Sequence, residues 1–162
     1  RLNHLYQETP ALWEEDFSWE GFQWIVPDDS SQNVVVFLRR DKKGGEVIAV
    51  CNFAPVLRPD YKFGVPRAGQ YAELINSDAE EFGGTGQHNA PVRAKKQPMH
   101  GFDYSISLRV PPMSAVILRT PAAKPAKADG PAPKKAAARG ARAKPARKTA
   151  ARKTTGKQAK DA

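Results

Sequence analysis

Two apolar runs, VVVFL at residues 34–38 and VIAV at 47–50, flank the polar stretch DKKGG at 41–45. Both are rich in β-branched residues, which suit a pleated sheet, so residues 33–53 read as a β-hairpin. Residues 34–38 are continuously apolar rather than alternating. Both faces of that strand are therefore expected to be covered, which places it centrally in a sandwich.

The pattern on either side adds further strands. Residues 23–26 predict a short strand ended by the turn cluster PDDSS at 27–31. After the breaks at Pro55 and Pro59, residues 61–64 and 71–76 restart extended structure. Residues 104–110, YSISLRV, alternate strictly, so one face of that strand should be wet. Pro111-Pro112 turns the chain into a last strand at 114–119. Between 77 and 101 the run Gly83-Gly84-Thr85-Gly86 and two prolines predict a long surface loop. Six or seven short strands separated by turn signals make an all-β fold, an antiparallel β-sandwich.

The N-terminal residues follow a different period. Leu2, Leu5 and Tyr6 stand at i, i+3, i+4 and predict a helix over 1–7 that stops before Pro10. Thr9-Pro10 resembles a cap followed by the first position of a second short turn around 11–15. Trp13, Phe17, Trp19, Phe22 and Trp24 then place five of the fourteen aromatics within twelve residues. Such rings either seal a seam against a preceding helical domain or form a platform on which sugars or bases stack.

Composition changes sharply at Pro121. Residues 121–162 contain no Val, Leu, Ile, Met, Phe, Tyr or Trp, and carry 13 Lys and Arg against 2 acids, a net of +11. The preceding 120 residues hold 13 basic and 15 acidic groups, a net of −2, so the basic balance of the chain belongs to the tail alone. A segment of this composition cannot bury enough apolar surface to offset its chain entropy and is expected to be disordered, with Ala-rich stretches such as 134–138 turning helical only on a polyanion. Its cations would bind polyanions, nucleic acid included, through counterion release. Its Ala-Lys-Pro composition resembles the tail of a linker histone, and a merely solubilising extension is the alternative.

Other candidate chemistry is sparse. The lone Cys51 has no intrachain partner, which favours a reducing, cytoplasmic compartment, and it is expected to be a small buried hydrophobe. His4, His88 and His100 lack ligand spacing, so no metal site is expected. The glycine run lacks the Lys-Ser/Thr of a phosphate loop and reads as a floppy loop. Acids at 14–16, 28–29 and 80–81 read as solvated charges; no catalytic residue and no cofactor is assigned. No apolar run reaches the length of a membrane span.

Several blocks carry a resemblance to a known family. Gly21-Phe22-Gln23-Trp24-Ile25 with Asp28-Asp29, Phe37-Leu38-Arg39-Arg40-Asp41, Asn52-Phe53-Ala54-Pro55-Val56, Tyr61-Lys62-Phe63-Gly64-Val65-Pro66, residues 69–71, residues 73–78 and Leu108-Arg109-Val110-Pro111-Pro112 are similar to the C-terminal region of bacterial glycogen branching enzymes. The resemblance covers about residues 1–119, and the tail lies outside it. It implies an α-amylase-type enzyme, with a (β/α)8 barrel expected N-terminal to Arg1 and a C-terminal antiparallel β-domain. Residues 1–20 would be the end of the last barrel helix and a connector, 21–120 the β-domain, and 121–162 the tail. Barrel enzymes keep their chemistry on loops at the C-terminal ends of barrel strands, so the family's catalytic acids have no counterpart here.

The resemblance implies a 1,4-α-glucan branching enzyme whose partner is glycogen, and this chain alone should be inactive. Trp24, with Phe22 on the same face by strand alternation, is the candidate for contact with α-glucan, because an indole can cover the C–H face of a sugar. Burial of that face against the barrel is the competing expectation. A nucleic-acid-binding protein acting through its tail and a free-standing glucan-binding module are the alternatives.

Overall fold

In the computed structural model, which describes residues 1–122, the hairpin forms between β2 (Val34–Arg40) and β3 (Glu46–Asn52). Val36 pairs with Val50 and Leu38 with Ile48. Asp41 builds the turn: its Oδ1 accepts the amides of Lys43 at 2.9 Å and Gly45 at 2.7 Å. A Cβ at residue 45 would displace that carboxylate, and Gly44 takes the positive φ of the turn.

Around the hairpin lie β1 (Phe22–Asp29), β4 (Arg58–Val65), β5 (Gln70–Asn76), β6 (Val92–Arg93), β7 (Tyr104–Val110) and β8 (Ser114–Arg119). A six-stranded sheet runs in the order β1-β2-β3-β8-β5-β6, and β4 and β7 form a separate two-stranded sheet. Antiparallel pairing throughout gives the expected all-β class. The core fills the space between the layers. Val36, Leu38, Ile48, Val50, Tyr71, Val116 and Leu118 of the large sheet meet Tyr61, Phe63, Val65, Ile106, Leu108 and Val110 of the small one. Burying each such side chain contributes about 1.5–3 kcal/mol, which makes this seam the main source of cohesion.

Several expectations are corrected in detail. The strand buried on both faces is β3, with Val47, Ile48, Ala49 and Val50 all inaccessible; β2 alternates, because only Val34, Val36 and Leu38 face the core. Cys51 is partly rather than fully buried. β1 continues through Pro27 to Asp29, and the turn comes after it, at 30–33. Proline is tolerated there because β1 is an edge strand. A register shift between Trp24 and Val26 lets Ile25 and Val26 both enter the core, which simple alternation forbids. On β7, Ser105 is buried although it lies on the expected wet face, because Lys95 bridges to it.

Residues 77–101 contain the short strand β6 and one 3-10 turn, Glu80–Phe82, but otherwise follow the expected loop path. The glycine run is not floppy. Asp78 is buried and accepts hydrogen bonds from the Thr85 hydroxyl at 2.6 Å, the Thr85 amide at 3.1 Å and the Gln87 amide at 3.1 Å. Gly83 and Gly86 take positive φ, and a Cβ at residue 84 would strike the Asp78 backbone. The glycines therefore let the chain close around one carboxylate.

The sequence N-terminal to β1 forms helix α1 (Leu2–Glu8), then 3-10 turns at Pro10–Leu12 and Trp19–Gly21. Pro10 occupies the first turn position, as its fixed φ favours. The expectations of disorder from 121 onward and of bound helix at 134–138 fall, from residue 123, outside the described residues.

The Asp78 cage makes a prediction for pH. The Thr85 hydroxyl, then the Thr85 and Gln87 amides, hold the Asp78 carboxyl below its ordinary value of 3.8 against the opposing effect of burial. With the folded value below the unfolded one, its stabilisation is complete above about pH 4 and is lost as pH falls through the folded value. Amide exchange at Thr85 and Gln87 should therefore accelerate below pH 4 relative to core amides once corrected for intrinsic rates. In Asp78→Asn the same amides should exchange fast at pH 6 and show no further acid step; an identical profile in both proteins would contradict the cage.

Candidate functional site

The second face of the large sheet carries an apolar row bordered by Arg39 and Arg119. Pairing places Trp24 opposite Phe37, Phe37 opposite Ala49, Ala49 opposite Ile117, and Ile117 opposite Ile75, a continuous row across β1, β2, β3, β8 and β5. The next row holds Val35, Cys51 and Ala115. Beyond it, Phe53 and Met113 are both exposed at the end of the sheet.

N-terminal residues cover part of this face. Ala11 of the first 3-10 turn is buried over β2 and β3, and Arg39 fastens the turn there. The Arg39 guanidinium donates to the carbonyls of Ala11 at 3.4 Å and Leu12 at 3.3 Å and pairs with Asp16 at 2.8 Å. Glu14 accepts the Lys42 amide at 3.1 Å, and Glu15 lies 3.4 Å from the Lys42 ammonium. The acids at 14–16 thus tie the N-terminal segment to the central hairpin, beyond the solvated role expected of them.

Helix α1 sits more loosely. Leu5 shares a shallow depression with Leu74 and Ile75, yet no residue of α1 is buried, and Leu2 and Tyr6 face outward. Trp13, Phe17 and Trp19 are exposed as well, Trp19 to 85%. Among the described residues the middle of the sheet face is thus covered at Ala49 and partly covered at Phe37 and Ile117, while the exposed apolar side chains lie on the N-terminal segment and at the ends of the sheet.

Phe22 and Trp24 meet as the sequence suggested. Their ring centroids are 5.0 Å apart at 88°, Phe22 stacks on Phe37 at 5.4 Å, and Trp24 meets Phe37 edge-on at 6.0 Å. Phe37 is the member that sequence reasoning missed. Strand register sets it opposite Trp24, and register is not visible in the local pattern. Trp24 is 51% exposed, so one side of its indole is fixed by the other rings and the other side meets solvent. Fixing a ring in advance lowers the entropy lost on ligand contact.

The remaining titratable groups hold the fold. Burial pulls Asp29 upward, but hydrogen bonds from Tyr61 at 2.8 Å and from Ser31 and Gln32, with the nearby Arg58 charge, bring its carboxyl below its ordinary value. Tyr61 is pushed well above the usual phenol range by burial and by Asp29, and burial raises Tyr71 to about 12. Glu46, buried at the start of β3, pairs with Arg40 at 2.7 Å and Arg67 at 3.2 Å. Burial also raises the Cys51 thiol, which makes it a poor nucleophile at neutral pH. The acids at 28–29 and 80–81 lie on separate parts of the chain, and no nucleophile stands beside a base and an orienting group among the described residues.

The fold is a two-layer antiparallel β-domain, and comparison with known families gives its class. The family model for the C-terminal all-beta domain of alpha amylase matches residues 24–121, and the chain belongs to that family. Within it, the chain is 48% identical over 118 residues to the 1,4-alpha-glucan branching enzyme GlgB of Aromatoleum aromaticum, and 47% identical over 120 residues to that of Aquifex aeolicus. The GlgB of Halothermothrix orenii is 42% identical over 120 residues. These alignments cover 72–73% of this chain but only 19% of each relative, so the chain spans about a fifth of the length of the curated relatives it matches.

Proposed function

We propose that this chain is the C-terminal β-domain of a cytoplasmic 1,4-α-glucan branching enzyme, and that the outer face of its large sheet docks the catalytic barrel. The observation that carries this reading is the apolar row from Phe37 to Ile75, which a water-facing sheet would not have. Exposed Leu2, Tyr6, Trp13 and Trp19 extend the same surface. The share of the relatives' length left unmatched is ample for a (β/α)8 barrel. In this reading residues 1–20 end the last barrel helix and connect it, residues 21–120 are the docked layer, and residues 121–162 are a tail.

The chemistry then belongs to the barrel. A barrel nucleophile takes the glucosyl carbon as the α-1,4 bond breaks, an acid protonates the departing 4-oxygen, and a 6-hydroxyl displaces the nucleophile to leave an α-1,6 branch. The β-domain contributes placement. Its row of side chains ends at edge strand β1, where Trp24 is half-covered by its own neighbours and can stack on a glucose ring of α-glucan, with Phe22 as support.

Two measurements test this. The 162-residue chain alone should leave the iodine absorbance of amylose unchanged; any turnover would place catalysis here. In affinity electrophoresis through glycogen, Trp24→Ala should lose roughly three- to tenfold in retention, as expected for one aromatic contact, and Phe22→Ala less. Unchanged mobility of Trp24→Ala would remove the glucan contact while leaving the docking reading intact.

The tail supports a second, separable activity. Its net of +11 against −2 for the preceding residues is charge segregated onto a segment without core-forming side chains. We propose that it binds polyanions such as duplex DNA by counterion release, in the manner its linker-histone-like composition suggests. A gel-shift series should show affinity falling linearly in log–log form with salt, and truncation after Thr120 should abolish the shift. No shift at low salt would leave the tail a solubilising extension.

A further inference from the structure

The outer face of the small sheet has the opposite character. On β4 and β7, Lys62 pairs with Ser107, and Lys95 bridges Ser105 from the other side of β7. Alternation sends Tyr61, Phe63, Ile106 and Leu108 into the core, so Lys62 and Ser107 point away from it. Val92 and Ala94 also pack against the core, which leaves Arg93 and Lys95 outward. Lys62 and the Arg93–Lys95 pair thus flank β7 at about two strand spacings, roughly 10 Å, with Ser107 between them.

These residues surround a depression of about 160 Å³ whose wall Gln97 completes and whose floor includes Ile106. No carboxylate lines it, and none of its three cations forms an ion pair among the described residues. Asp60 of β4 lines the neighbouring depression, which Lys62 shares, and forms no ion pair with that lysine. Three like charges around one depression repel one another. An oxygen-rich dianion relieves that repulsion.

We propose that this depression binds a phosphate monoester, carried either by a free sugar or by a glucan chain. Lys62, Arg93 and Lys95 meet the phosphate oxygens, and Gln97 is placed to accept from or donate to a sugar hydroxyl. The site lies on the layer away from the apolar face. It stands or falls separately from the docking and glucan readings.

Amide NMR of the full 162-residue chain, titrated at constant ionic strength, tests the proposal. Inorganic phosphate should produce saturable shifts at residues 62, 92–97 and 105–107, glucose 6-phosphate should bind more tightly, and glucose should leave these residues unmoved. The double variant Lys62→Gln/Lys95→Gln, shown folded by its amide dispersion, should bind at least tenfold more weakly. Stronger retention by phosphorylated than by unphosphorylated starch would identify the chain-borne ester, and equal retention with tight glucose 6-phosphate binding the free one. Shifts that fail to saturate, that fall only at residues 123–162, or that persist in the double variant would overturn the proposal.

Discussion

A sheet with two apolar faces needs two partners, and that requirement governs this molecule. The inner face of the six-stranded sheet has its partner in β4 and β7, which supply Tyr61, Phe63, Val65, Ile106, Leu108 and Val110. Among the described residues the outer face has the 3-10 turn at Pro10–Leu12 and the loosely seated α1, with the turn at Trp19–Gly21 beside β1 and β2. Apolar area left in water contributes nothing at about 25 cal/mol per Å², so a protein gains by covering it. The inner face is thus fully covered and the outer face only in part.

The local devices around the sheet keep that surface in shape. Asp41 sets the hairpin turn, Arg39 fastens the N-terminal segment across β2, and Asp78 gathers the glycine loop beside β5. Asn52 does the same at the far end, donating to the carbonyls of Val56 at 2.9 Å and Pro111 at 2.8 Å while accepting the Ala54 amide at 3.0 Å. Each is a polar side chain spending its hydrogen bonds on loop backbone. These carboxylates and amides are engaged with loop backbone rather than grouped around a cleft among the described residues.

Much of this was legible in the sequence, and the rest was not, for physical reasons. The hairpin, the strand alternation that pairs Phe22 with Trp24, the Pro10 turn and the all-β class follow from local periodicity and turn chemistry. The burial of β3 on both faces did not, because VIAV and VVVFL are equally apolar and only strand order decides which has neighbours on both faces. The entry of both Ile25 and Val26 into the core depends on a bulge that no period records. Phe37 beneath Trp24, and the basic depression around Ser107, arise from register between segments far apart in sequence. The role of Asp78 was hidden because its partners, Thr85 and Gln87, looked like part of an unstructured loop.

The most direct test of the two-faced sheet is hydroxyl-radical footprinting of this chain alone and joined to the (β/α)8 barrel of a branching enzyme. Cys51 and Met113 report on the outer face, and Tyr104, on the layer across the core, serves as the reference. The account predicts that Cys51 and Met113 become protected several-fold in the joined protein while Tyr104 is unchanged. Equal oxidation of Cys51 and Met113 in both forms would contradict it.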